Sequence, residues 1–338
     1  MKQISFIGTL TAAGIAAVSA GAATIDDIKS NGVMRCGVST GLVGFAAPDE
    51  NGVWEGFDVA LCRAVAAAVL GDGDAVEFIP TTGKTRFTAL ASGEVDMLAR
   101  NTTWTFSRDV DLKFTFVGVN YYDGQGFMIR KDYGIGSAAE LDGATVCIQT
   151  GTTTELNLAD YFRANGISYE PVPIETNAEA QQQYLAGACD VYTTDASGLA
   201  ATRATFEDAD AHMILPEIIS KEPLGPLVRH GDDEWADAVR WTLNALISAE
   251  ELGVTSENLA EMAGGTNNPE INRLLGTEGN FGELLGLEAD WAQKAIAVSG
   301  NYGEIFEANI GETTAIGLAR GLNGQWTGGG LLYSPPFR

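Results

Sequence analysis

Three short polar stretches carry most of the chemistry in this 338-residue chain. The first is Gly93-Glu94-Val95-Asp96-Met97-Leu98-Ala99-Arg100-Asn101-Thr102-Thr103-Trp104-Thr105-Phe106-Ser107-Arg108, and the second is Gln149-Thr150-Gly151-Thr152-Thr153-Thr154-Glu155. Thr193-Thr194-Asp195 is the third. Arg108 supplies a fixed cation and Asp195 a fixed anion, while the loops add hydroxyls and backbone N–H groups. Together they complement a zwitterion, a molecule with one carboxylate and one ammonium. With two histidines and no nucleophile set, the chain is suited to holding such a molecule rather than transforming it.

The elements that must position these residues follow from hydrophobic pattern and breakers. Strands are predicted at 33–38, 75–79 and 95–99, with helices at 56–70 and 85–91; Asp58 is read as a cap near the start of the first helix and Gly71 as its stop. A second series predicts strands at 145–148, 167–172 and 189–193, with helices at 154–164, 177–186 and from Ala196. Two series of one pattern predict an α/β protein of two similar lobes, each a mainly parallel sheet flanked by helices. Ligands of open α/β sheets bind beyond the carboxyl ends of strands. Both polar loops and Asp195 fall at such ends, so they are read as one site. Trp235, Val239, Leu243 and Leu246 share a helical face over 234–249, and Trp235 and Trp291 are expected in the core. Residues from Asn267 onward show no chemistry of their own.

Residues 1–22 read as a secretory signal peptide: a basic start at Lys2, a small apolar run from Ile4 to Val18, and an Ala20-Gly21-Ala22 cleavage site. The apolar run is shorter than the roughly 20 residues a membrane span needs. An exported chain with four cysteines favours disulfides. The neighbouring pairs Cys36–Cys62 and Cys147–Cys189 are the expected partners, although spacing alone does not fix connectivity, and four buried thiols are the alternative. No metal-ligand spacing and no cofactor motif is present. The net charge of −25, from 45 acidic against 20 basic residues, repels nucleic acid and anionic membranes. Its acids are scattered, so this charge speaks for solubility rather than specificity.

Gly56-Phe57-Asp58-Val59, the stretch from Ala89 through Asp96 to Arg108, the Gln-Thr-Gly-Thr-Thr-Thr turn and Cys189-Asp190-Val191-Tyr192-Thr193-Thr194-Asp195 occur here in an order that resembles a known family. So do the tail motifs Asn301-Tyr302-Gly303-Glu304-Ile305-Phe306-Glu307, Arg320-Gly321-Leu322-Asn323 and Gly329-Gly330-Leu331-Leu332-Tyr333-Ser334-Pro335-Pro336. The chain resembles the periplasmic substrate-binding proteins of polar amino-acid ABC transporters, and within them the longer, general L-amino-acid-binding type. That resemblance implies a type II two-lobed binding protein with a double-crossover hinge. Lobe 1 would comprise 23–125 and 227–338, including a helical C-terminal extension, and lobe 2 would comprise 126–226.

By position, Arg108 matches the arginine that clamps the ligand carboxylate, for which a planar guanidinium fork is suited. Asn101, Thr103 and Thr153 match further contacts to that head group, and Asp195 matches the acid that receives the ammonium. Ser39 stands where relatives binding basic amino acids carry an acid, and Leu42 where they carry an aromatic lid. Without either, recognition is expected to rest on the shared head group and to be broad. Phe45, Trp54 and Trp104 are candidate lining residues. The resemblance implies a monomer that takes a free L-amino acid and docks on an ABC permease. The two other readings are an exported dehydratase-like enzyme on this fold, for which Glu155 is the one extra acid near the site, and a sensory amino-acid-binding module.

Overall fold

The computed structural model describes residues 24–338; the expected signal peptide lies outside the described residues. After α1 (Thr24–Asn31) come β1 (Met34–Val38), the hairpin β2 (Ala47–Pro48) and β3 (Trp54–Glu55), and α2 (Phe57–Leu70). β4 (Val76–Pro80), α3 (Arg86–Ser92), β5 (Met97–Leu98) and β6 (Phe114–Phe116) follow. The chain then crosses through β7 (Tyr121–Asp123) into β8 (Gln125–Arg130), β9 (Ala144–Gln149), α4 (Thr153–Asn165), β10 (Tyr169–Ile174), α5 (Asn177–Leu185), β11 (Val191–Asp195), α6 (Ala196–Ala204) and β12 (His212–Ile214). It returns through β13 (Glu222–Leu224) to β14 (Leu227–Arg229).

Two five-stranded sheets result, ordered β4-β1-β5-β14-β6 and β10-β9-β11-β8-β12. In each, three strands joined by helical crossovers run parallel, and the two strands beyond them pair antiparallel. The sheets are therefore mixed rather than mainly parallel. Between them β7 and β13 form an antiparallel pair, with Leu224 opposite Tyr121 and Glu222 opposite Asp123. This is the double crossover, and a polar cleft lies beside it.

Local sequence sets the element ends. α2 stops at Gly71, whose φ of 77° suits a residue without Cβ. Its start differs from expectation: Gly56 holds the cap position, and Asp58 lies inside the first turn. Asp58 turns inward, where Asn120 Nδ2 donates to its carboxylate at 3.4 Å. Each disulfide ties one sheet to its own cover: Cys36 of β1 to Cys62 of α2, and Cys147 of β9 to Cys189 just before β11. Closing loops of 26 and 42 residues stabilises each unit by about 3.5–4 kcal/mol.

The remainder is α7 (Asp233–Glu251), α8 (Leu259–Ala263), α9 (Pro269–Leu274), α10 (Phe281–Leu284), α11 (Trp291–Ser299) and α12 (Tyr302–Asn309). Trp235 and Trp291 are fully buried in the core of the first unit, as expected, with Tyr302 and Phe306. The tail also supports the crossover. Asn323 accepts from the backbone N–H of Tyr122 at 2.6 Å and donates to its carbonyl at 3.1 Å. Arg320, ion-paired with Glu250 at 2.9 Å, lies over the rings of Tyr302 and Phe306. Among the described residues no helix is long and apolar enough to cross a membrane.

Candidate functional site

The cleft opens where four parallel strands end: β1 at Ser39, β5 at Arg100 and Asn101, β9 at Gln149, and β11 at Thr194 and Asp195. Its cavity volume is about 40 Å³. Of the residues singled out in the sequence, Ser39, Leu42, Asn101, Thr103, Thr153 and Asp195 all line it. Phe45, Trp54 and Trp104 do not. Phe45 packs on Phe57 and Tyr121, Trp54 on Phe78, and Trp104 stacks on Phe116.

The two sides meet around this space. Asn177 Nδ2, at the start of α5, donates to Ser39 Oγ at 3.1 Å and to the Gly41 carbonyl at 3.2 Å. Lys84 pairs with Glu175 at 2.7 Å, and Thr103 Oγ1 lies 3.1 Å from Thr153 Oγ1. A Cβ on Gly83 would stand 2.7 Å from the Thr150 carbonyl oxygen, so backbone meets backbone at the mouth. The structure is a closed form.

Asp195 occupies the N-cap position of α6, yet its side chain makes no capping bond and faces the cleft. Thr152, not Thr153, caps α4 by accepting from Glu155 N–H. Thr153 therefore begins the helix with an N–H that has no intrahelical acceptor, at the positive end of the helix dipole. Asn101 is held with φ of 44°, in the left-handed region that asparagine tolerates. Its Oδ1 and the Nε2 of Gln149 are buried without hydrogen-bond partners among the described residues.

Arg108 is buried behind this lining. Its Nη1 donates to the Thr103 carbonyl at 2.8 Å, and its guanidinium lies 5.2 Å from the Phe87 ring centre. Two further arginines, which sequence reasoning did not single out, face the cleft directly. Arg86 of α3 reaches Thr102 Oγ1 and the Gly151 carbonyl, each at 3.4 Å, and Arg100 donates Nε to the Thr81 carbonyl at 3.0 Å. Glu222 of β13 was also missed. Its buried carboxylate accepts from Thr103 Oγ1 at 2.5 Å, Thr153 Oγ1 at 2.9 Å, Asn157 Nδ2 at 2.6 Å and Ser220 Oγ at 2.6 Å. With both threonine hydroxyls turned to Glu222, the donors left to an anion there are backbone N–H groups and guanidiniums.

The charges are mutually strained. Desolvation, then the charges of Asp123 and Glu222, push the Asp195 carboxyl well above its ordinary range, while Arg86 and Arg108 pull it down. Burial lowers Arg86 well below the arginine range and brings Arg100 and Arg108 down to about 10. A bound ion of each sign would relieve both sides. No cluster of metal ligands occurs among the described residues. Glu155 accepts from Gly151 N–H at 2.9 Å, outside the lining.

Residues 34–258 match the family described as bacterial extracellular solute-binding proteins, family 3. The chain is 64% identical, over the whole of both chains, to a protein of Rhodobacter capsulatus named glutamate/glutamine/aspartate/asparagine-binding protein. It is 56% identical, over 96% of this chain and 95% of the other, to the general L-amino acid-binding periplasmic protein of Rhizobium johnstonii. A solved periplasmic binding protein of an ABC transporter from Brucella ovis, with glutathione bound, superposes with a TM-score of 0.92. That likeness covers 94% of this chain and all of the other, at 56% identity. The two-lobed architecture, the paired disulfides and these matches agree with the family the sequence motifs pointed to, and the chain belongs to family 3 of the bacterial extracellular solute-binding proteins.

Proposed function

We propose that the protein is a periplasmic receptor for free L-amino acids of many kinds, which it delivers to an ABC importer by closing the cleft. One observation carries this reading: across a single desolvated cleft, Asp195 presents a carboxylate with no capping bond, opposite guanidiniums of the other side. Asp195 receives the ligand ammonium. Arg108, Asn101 and the N–H groups near Thr103 and Thr153 serve the carboxylate. Ser39 and Leu42 border the side chain and add neither charge nor ring. The lobes are 23–125 with 227–338, and 126–226, moving about the β7–β13 pair. The names of the two relatives support amino acids as the ligand class.

The protein acts as a monomer, needs no cofactor, and carries out no reaction on its ligand. Glu155 is engaged by the Gly151 amide, so the acid an exported dehydratase would require is not offered to the cleft. The closed form docks on a permease of the inner membrane, after export with loss of residues 1–22. Micromolar affinity corresponds to about 8 kcal/mol, and charge-assisted hydrogen bonds contribute about 1.5–3 kcal/mol each, so the head group must form several of them. Calorimetric titration of the ligand-stripped protein with the L-amino acids tests this. Micromolar or tighter binding of several chemically unlike ones is expected, with a similar loss for all of them in Arg108→Ala. Binding of none, or turnover of a cyclic acid, overturns it.

A further inference from the structure

The C-terminal extension holds the crossover strand β7 from outside. Tyr122 stands opposite Pro223 in the β7–β13 pair, and Pro223 has no N–H to share, so the N–H and carbonyl of Tyr122 face the outer edge of the ribbon. Asn323, 3% exposed, meets both: its Oδ1 accepts from that N–H at 2.6 Å and its Nδ2 donates to that carbonyl at 3.1 Å. One side-chain amide thus offers what a third strand would offer. Two residues earlier, the Tyr302 hydroxyl donates to the Asn120 carbonyl at 2.7 Å. Asn323 is itself fixed, because Arg320 Nε donates to its carbonyl at 3.0 Å while the same guanidinium pairs with Glu250 of α7. The next residue along β7 is tied to the other unit. Asp123 accepts from Gly124 N–H at 2.8 Å, and from the N–H and hydroxyl of Ser197 on α6. The return strand changes partners at the same rung. The Pro223 carbonyl accepts from Trp104 N–H at 2.8 Å, whereas Glu222 is held by Thr153 and Asn157 of α4 and, across the closed cleft, by Thr103.

We propose that Asn323 is a positioning residue for ligand capture: by clamping Tyr122 to the first unit, it confines the bending of cleft closure to the Tyr122–Asp123 and Glu222–Pro223 links. This rests on the reading of the β7–β13 pair as the pivot of a closing amino-acid receptor. Hinges are the few residues free to absorb a change of backbone angle. With Asn120 and Tyr122 tied down, one rung of the ribbon is left for that change. Without the clamp, bending spreads back toward Asn120 and the ligand-free protein opens further. Closure must then order the released residues again, which weakens binding. Asn323 does not line the cleft, so its effect is blind to the side chain of the ligand.

The test compares wild type, Asn323→Ala and Tyr302→Phe, which removes only the hydroxyl, by calorimetric titration with glutamate and with alanine. Asn323→Ala should bind both amino acids more weakly and by the same factor, about 2–30-fold, the range by which residues remote from a ligand alter coupling. Tyr302→Phe should lose less, again equally for both. Small-angle scattering should give ligand-free Asn323→Ala a larger radius of gyration than ligand-free wild type, and the two proteins the same radius at ligand saturation. A lower melting temperature with wild-type affinity and wild-type radius would make the contact purely structural and overturn the assignment. A loss confined to one ligand overturns it as well, placing the effect in recognition rather than closure. If Asn323→Ala does not fold, Tyr302→Phe decides, and unchanged affinity for both amino acids overturns the assignment. Failure of wild type to bind either amino acid or to compact in their presence removes the receptor reading itself, and the assignment with it.

Discussion

Closure of the cleft brings Gly83 and Gly151 together, and Gly83→Ala isolates that step from ligand recognition. The added Cβ would stand 2.7 Å from the Thr150 carbonyl oxygen and 3.1 Å from Thr152 Cγ2. Gly151 faces it with φ of 74°, where the nearest Gly83 atoms lie 3.1 Å from an ideal Cβ. Neither backbone is free to yield, because Thr150 N–H donates to the Ile174 carbonyl at 3.0 Å and Thr152 caps α4. Overpacking of this kind costs about 1–3 kcal/mol. The open form makes no such contact, so the cost falls on closure alone and lowers affinity about 5–150-fold. The loss should be the same for glutamate and alanine, because both require the same closed state. Calorimetry gives the affinities, and small-angle scattering gives the compaction on adding ligand. Chemical denaturation of the ligand-free variant should match wild type within about 0.5 kcal/mol. Unchanged affinity, or a loss confined to one ligand, would refute the argument.

Glu222→Gln removes the charge that Thr103, Thr153 and Asn157 converge on, so affinity should fall tenfold or more for hydrogen bonds to a charged group. The acid limb of binding against pH should also move to lower pH, because Glu222 is one of the charges that raise Asp195; a lower melting temperature with unaltered binding would contradict this. Asp58 is pushed up to about 7 by burial, against which Asn120, the Asn101 amide and Arg100 pull only partly. The folded state thus holds this proton more tightly than the unfolded chain, whose carboxyl titrates near 3.8. Stability from this group falls as pH rises from about 4 to about 7 and is flat above. Asp58→Asn should therefore gain on wild type by about 2–4 kcal/mol between pH 4.5 and pH 8 in denaturant unfolding, whereas a variant that fares worse at pH 8 would show a wanted charge.

The alternation of strands and helices was legible because most of the parallel strands, such as β1 and β9, are largely apolar runs that end at hydroxyl residues. The antiparallel strands were not. β6, β12 and β14 span three residues each, and β14 finds its partners only after the chain has returned from the second sheet. The hydroxyl loops and Asp195 were legible for the same reason as the sheet, since they end its strands. Arg86 reads as an ordinary basic position on a short helix, and Glu222 as part of a charged Lys221-Glu222 pair before Pro223. Arg86 reaches the cleft from the start of α3, and Glu222 comes behind its threonines through the crossover, which brings Thr103 opposite Leu224. Asp58 misled because acids near helix starts usually cap them. Here Gly56 takes that place and the carboxylate points inward.

Asp195 is the group on which the account turns. Calorimetric titration of wild type and Asp195→Asn, each with L-alanine and with its des-amino counterpart propionate, tests the zwitterion site most directly. The account predicts that wild type binds alanine but not propionate, and that Asp195→Asn loses about 10–100-fold for alanine, the range for a charge-assisted bond. Alanine binding equally well to both proteins, or propionate binding like alanine, would contradict it.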